Sequence, residues 1–215
     1  MSASPIDSPF PPERTSPIAA AVTGVEHRGY AIVRDFLSPA DITKLREDCL
    51  ILWQAGGLAP AGIGRGDQRQ RDTAVRGDAI LWLGSAPQTD AVRTYQEAFE
   101  ALRQAMNERL MLGLFDLEAH FAVYPPGTLY RRHLDRFRDS DLRMLSCVLY
   151  LNESWQPEDG GQLRLYLDGE ADAPYLDVMP AAGTLACFLS ADFPHEVLPA
   201  RRERLAVTGW FRRRE

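Results

Sequence analysis

YPPGTLYRRHLD, residues 124–135, reads as a turn between two short strands, and the pattern around it decides the fold. Pro125, Pro126 and Gly127 interrupt any regular element, and the chain from Leu129 to Asp135 is extended again. Further apolar runs of strand length lie at 118–124, 143–151, 162–167, 174–178, 184–189, 194–199 and 204–211. Between them stand the turns DRFRDSD, PEDGG, MPAAG and PARRE. Short strands at such close intervals indicate a sandwich or barrel.

The sequence before this region reads differently. Gly29 to Val33 reads as a strand, and Ser38 caps a helix running to about Trp53 with Ile42, Leu45, Cys49 and Leu50 on one face. Ile80 to Leu83 is another short strand. Residues 88–113 carry a long amphipathic helix with Val92, Tyr95, Phe99, Leu102, Met106 and Leu110 at helical spacing. Helices precede strands, so the fold class is α+β with a mainly β core, a jelly roll buttressed by N-terminal helices. Residues 56–73 show no periodicity and are expected to form a long loop, of the kind that often acts as a lid or binding element. Residues 1–20 begin with a Pro- and Ser-rich stretch that cannot build a core; they are expected to be a disordered tail, with order beginning near Gly24 and a single domain over 21–215.

Composition narrows the function. The 215 residues are 45% hydrophobic and 25% charged, ordinary for a soluble globular protein. The net charge of −6 argues against a nucleic-acid partner. No apolar run approaches the length of a membrane helix, and the N-terminus lacks the basic and apolar regions of a secretory signal. Cys49, Cys147 and Cys187 are odd in number, far apart and set in apolar runs, as expected of buried reduced thiols in a cytoplasmic protein. Lys44 is the one lysine among 24 basic residues, and the arginine excess reads as genome composition. Only four histidines, His27, His120, His133 and His195, can supply a histidine site. His27 and His120 have no partner pattern and read as structural or surface residues.

His133 and Asp135 are spaced i, i+2, which in a strand aims both side chains at one face. His195 begins a later strand, and Arg204 follows it on the next, flanked by apolar Leu205, Ala206 and Val207. Two histidines and a carboxylate form the facial triad of non-haem Fe(II) oxygenases, which leaves coordination positions open. A 2-oxoacid and O2 can fill them. If the oxoacid is 2-oxoglutarate, its far carboxylate needs a buried partner, a role that suits the planar guanidinium of Arg204.

These residues carry a resemblance. AVRGDAILWL (74–83), YPPGTLYRRHLD (124–135), CVLYLNESW (147–155), GGQLRLYL (160–167) and PHEVLPARRERLAVTGWF (194–211) make the chain similar to the HIF-type prolyl 4-hydroxylases, which are Fe(II)- and 2-oxoglutarate-dependent dioxygenases. The resemblance implies a double-stranded β-helix. It implies that His133, Asp135 and His195 ligate iron and that Arg204 and Tyr150 hold the distal carboxylate of 2-oxoglutarate. Tyr124 would line the same cosubstrate pocket. Trp210 and Arg143 align with residues near the prolyl substrate, and Arg76 and Asp78 sit beside a loop that closes over substrate in that family. Because related halogenases lack the triad carboxylate, Asp135 implies hydroxylation.

The chain also departs from the animal members. The turn between Tyr124 and Tyr130 is shorter by one residue, and the sequence stops five residues after Trp210, without their C-terminal extension. The reaction type is expected to survive these differences; the animal substrate is not. The compact, Arg-rich chain resembles bacterial versions. The expected activity is a cytoplasmic, monomeric hydroxylase of a protein or peptide proline, yielding hydroxyproline, succinate and CO2, with ascorbate as a reductant for iron. Elongation factor Tu is a candidate substrate. A hydroxylase of a small molecule such as free proline is the alternative enzyme, and a non-catalytic metal-dependent sensor is the alternative of another class.

Overall fold

The structure, a computed structural model, describes residues 15–62, 72–136, 142–168 and 174–214. Three helices and eleven strands are found among them: α1 (Pro17–Arg28), β1 (Tyr30–Val33), α2 (Pro39–Gln54), β2 (Ala59–Pro60), β3 (Ala79–Trp82), α3 (Asp90–Leu110), β4 (Asp116–Tyr124), β5 (Tyr130–His133), β6 (Arg143–Tyr150), β7 (Leu163–Tyr166), β8 (Tyr175–Val178), β9 (Leu185–Leu189), β10 (His195–Val197) and β11 (Arg204–Arg212). The large sheet has the order β1-β9-β6-β11-β4-β3-β2, and the small sheet β5-β10-β7-β8. All of their pairings are antiparallel. This is the double-stranded β-helix expected from the strand spacing and the resemblance.

The large sheet is covered on both faces, and its central strands read accordingly. On β4, Phe121 and Val123 join the cluster under the helices, while Ala122 and Tyr124 join the cluster between the sheets. On β11, Leu205 and Val207 face the helices, and Ala206 faces inward. Double-sided burial explains why β4, β6 and β11 are almost continuously apolar rather than alternating.

The helices form the outer layer for local reasons. Ser38 caps α2 by accepting from the Asp41 amide at 3.1 Å, with Pro39 at the first helical position. Thr89 caps α3 through the Val92 amide at 3.2 Å. The stripe Val92, Tyr95, Phe99, Leu102 and Met106 is buried, and Phe99 stacks on Phe211 of β11 with ring centroids 6.1 Å apart.

Three local expectations need revision. Helix α1 begins at Pro17, inside the span assigned to the tail and ahead of Gly24; residues 1–14 lie outside the described residues. Ser16 caps it, Ala21, Val22 and Val25 are buried, and Gly24 lets it press on β1, where a Cβ would come within 2.5 Å of Ala31 Cβ. The loop expected at 56–73 contains the two-residue strand β2, paired with β3; residues 63–71 lie outside the described residues. Strand β5 ends at His133, so Asp135 stands in a bend beyond it rather than on the strand. Cys49, Cys147 and Cys187 are free and buried, as expected.

Candidate active site

His133 and His195 are brought face to face by strand register. The final residue of β5 pairs directly with the first residue of β10, and their rings lie 4.2 Å apart. The bend after β5 turns Asp135 back between them. Its Oδ1 is 3.6 Å from His133 Nε2, and its Oδ2 is 3.4 Å from His195 Nε2. One ligand atom from each of the three residues falls within 4.8 Å of the others.

The hydrogen bonds behind this cluster set its chemistry. His133 Nδ1 lies 2.7 Å from the Arg131 carbonyl, and His195 Nδ1 lies 3.0 Å from the Phe193 carbonyl. A carbonyl only accepts, so each Nδ1 carries the proton and each Nε2 turns a lone pair toward the cluster. Asp135 Oδ2 accepts from the Ser146 hydroxyl at 2.7 Å, and Ser146 Oγ is 2.8 Å from Ser190 Oγ. Burial alone would raise the Asp135 carboxyl, but His195, His133 and Ser146 together hold it well below the usual carboxylate range. Burial, with the neighbouring His133, pushes His195 down to about 4. Asp135 is therefore a carboxylate and His195 a neutral imidazole at neutral pH, and with the His133 imidazole beside them they form the donor set that a divalent cation requires.

The same pocket has a second polar end. Arg204, 2% exposed, donates from Nε to the Gly161 carbonyl at 2.8 Å. Its guanidinium carbon stands 5.0 Å from the Tyr150 ring and 5.1 Å from the Tyr124 ring. No carboxylate among the described residues pairs with it, and the buried Tyr150 hydroxyl has no acceptor among them either. Burial pushes that phenol up to about 12 despite the nearby guanidinium, so it remains a donor. A buried cation and a buried hydroxyl without an anion between them fit the far carboxylate of a dicarboxylic acid. Leu163 and Val197 make the adjoining wall apolar.

The remaining predicted residues divide between the wall and its support. Trp210 lines the pocket, and Arg143 lies 3.5 Å over its ring while pairing with Glu118 at 3.2 Å. Arg76 and Asp78 also line the pocket but engage each other, through bonds of 2.6 and 2.9 Å. Arg76 lies 4.7 Å over the Tyr130 ring, which stacks on His133 at 3.7 Å. Eight of the ten predicted residues thus line one pocket, and Tyr150 and Arg143 pack against its lining residues Arg204 and Trp210. The sequence reading had missed Tyr130, Ser146, Ser190 and His120. Of these, His120 could have been found: its place two residues from Ala122 and four from Tyr124 puts it on the same strand face.

Comparison with known proteins agrees with this geometry. The profile of the 2OG-Fe(II) oxygenase superfamily matches residues 119–212. A crystal structure of a Pseudomonas putida prolyl-4-hydroxylase is 49% identical, with a TM-score of 0.81 over 92% of this chain and 100% of that one. A Trichoplax adhaerens prolyl hydroxylase, solved with a peptide fragment of the hypoxia-inducible factor oxygen degradation domain, is 29% identical with a TM-score of 0.80, over 91% and 88% of the two chains. Human Egl nine homolog 1 is 29% identical over 92% of this chain and 49% of its own length, so the chain spans about half of that relative.

Proposed function

The chain belongs to the 2OG-Fe(II) oxygenase superfamily, and from that premise we propose that it is a prolyl hydroxylase acting on a protein or peptide. The observation that carries the reading is the pairing of two ends in one pocket. A cation-ready His133–Asp135–His195 cluster stands at one end, and the anion-ready Arg204 and Tyr150 stand at the other. A metal-binding sensor has no need of the second end.

In this reading His133 Nε2, His195 Nε2 and one Asp135 oxygen hold Fe(II). Bound iron and 2-oxoglutarate supply the oxidising chemistry, in which O2 is consumed, the oxoacid becomes succinate and CO2, and a C–H bond becomes C–OH. The chain supplies position. Ser146 fixes the Asp135 carboxylate, and the Arg131 and Phe193 carbonyls fix the two imidazoles. Arg204 and Tyr150 hold the far carboxylate, Tyr124 lines that end, and Leu163 and Val197 keep water from it. Trp210, braced by Arg143, is a flat apolar surface for a proline ring, and Arg76 with Asp78 supports the wall through Tyr130.

The peptide-bound Trichoplax relative and the 49% identical prolyl-4-hydroxylase support a protein substrate over a metabolite. Free buried cysteines suit a reducing cytoplasm, and no helix among the described residues is long and apolar enough to cross a membrane. The test is incubation with Fe(II), 2-oxoglutarate, ascorbate and extract from cells lacking the gene. Mass spectrometry should find a proline that gains one oxygen, with elongation factor Tu inspected first. 2-Oxoglutarate turnover without any oxygenated proline would overturn the reading.

A further inference from the structure

His120 lies in the wall of this pocket and takes no part in the chemistry above. It sits on β4, in register with Thr208 of β11 and Trp82 of β3. It is 1% exposed, and neither ring nitrogen has a hydrogen-bond partner among the described residues. Its neighbour Trp210, with ring centroids 5.4 Å apart, has a buried Nε1–H that also lacks a partner. Trp82 closes the other side edge-on at 4.8 Å. A buried polar group left unpaired costs folding stability, and an apolar side chain in this aromatic box would not.

The position of His120 along the sheet separates it from the cosubstrate anchor. Arg204, Ala206, Thr208 and Trp210 alternate onto one face of β11, so the wall runs from Arg204 to Trp210. His120 stands opposite Thr208, toward the Trp210 end. The charges nearby are already engaged: Arg76 with Asp78, and Arg143 with Glu118. Burial pushes the His120 imidazole down to about 3, so it is neutral at physiological pH and offers one N–H and one lone pair. This stretch of wall therefore holds two neutral donors, His120 N–H and Trp210 Nε1–H, both buried and unpartnered among the described residues. A prolyl residue within a chain offers a carbonyl acceptor and no N–H, which is the complementary set.

We propose that His120 and Trp210 form a hydrogen-bonding subsite for the peptide carbonyl groups at the target proline, with His120 as a specificity-determining residue. The proposal rests on the prolyl hydroxylase reading. The probe is a synthetic peptide spanning the proline that the wild-type protein oxygenates in extract. His120→Leu should raise the KM for that peptide about five-fold or more, the loss of one net hydrogen bond. It should leave 2-oxoglutarate binding to the Co(II)-loaded protein unchanged and should not lower the melting temperature. His120→Asn, which keeps a neutral donor, should recover part of the loss. An unchanged peptide KM overturns the proposal, as does an equal loss of 2-oxoglutarate affinity. So does a lower melting temperature for His120→Leu, which would make His120 a structural residue. Failure of the wild-type protein to oxygenate any prolyl peptide is a separate result, and it overturns the prolyl hydroxylase reading together with the proposal.

Discussion

Arg204 and Tyr150 meet at the closed end of the pocket, the guanidinium carbon 5.0 Å from the phenol ring, with no carboxylate among the described residues to satisfy either. Arg204→Met should raise the 2-oxoglutarate requirement by about 30-fold or more, the scale of losing one partner of a buried charge pair, roughly 2–5 kcal/mol. Tyr150→Phe should cost about five-fold, one hydrogen bond. Tyr150→Phe should leave the stability of the ligand-free fold nearly unchanged, because its hydroxyl has no acceptor among the described residues, whereas Arg204→Met gives up the bond to the Gly161 carbonyl and should cost about 1–3 kcal/mol. Steady-state kinetics with varied 2-oxoglutarate and thermal melts of the ligand-free protein check both halves.

Ser146 acts on the metal through Asp135. Its hydroxyl donates to Oδ2 at 2.7 Å and is itself tied to Ser190. Ser146→Ala should weaken metal affinity by roughly 10–100-fold while leaving all three ligands in place. A Co(II) titration monitored by absorbance measures it, and an affinity equal to wild type would remove Ser146 from the account.

Gly161 links backbone shape to cosubstrate binding. Its φ is +69°, its carbonyl accepts from Arg204 Nε, and a Cβ there would meet Ala200 Cβ at 2.9 Å and Arg204 Cδ at 3.2 Å. Gly161→Ala should lower stability by about 1–3 kcal/mol through strain and crowding. It should also raise the 2-oxoglutarate KM by displacing the anchor, so chemical denaturation and kinetics should move together.

The pH dependence of the metal-free protein follows from its buried histidines. Burial, reinforced for His195 by His133, takes His195 down to about 4; burial takes His120 to about 3. Both have an ordinary value near 6.5. Between those limits the unfolded chain binds the protons that the folded one refuses, so stability rises with pH across that window. Lowering the pH from 6.5 toward 4 should cost up to about 1.4 kcal/mol per unit for each histidine. The depressed Asp135 carboxyl acts in the same direction at lower pH. Denaturant melts at pH 7 and pH 5 test the slope, and His120→Leu should make it shallower.

The sequence carried this site unevenly. His133, Asp135, His195 and Arg204 were legible because metal and anion chemistry restricts residue type and spacing, and the β-core was legible because its turns are marked by Pro and Gly. Helix α1 was not. Ala19, Ala20 and Ala21 give little hydrophobic contrast, the preceding prolines suggest disorder, and Gly24 looks like a break until its contact with Ala31 is seen. Ser146 was hidden inside an apolar strand run and Ser190 in the turn that follows one, and only the folded structure brings the two hydroxyls together. His120, read as structural or surface, is buried, and its unpartnered nitrogens depend on three-dimensional neighbours that no spacing reveals.

The measurement that bears most directly on the account is the stoichiometry of succinate to oxygenated proline. The assay uses wild-type protein and its Asp135→Ala variant, with Fe(II), 2-oxoglutarate and the substrate peptide. The wild type should form one succinate per proline oxygenated, with neither product when iron or 2-oxoglutarate is withheld, and Asp135→Ala should form neither. Full turnover by Asp135→Ala, or proline oxygenation without succinate, would contradict that expectation.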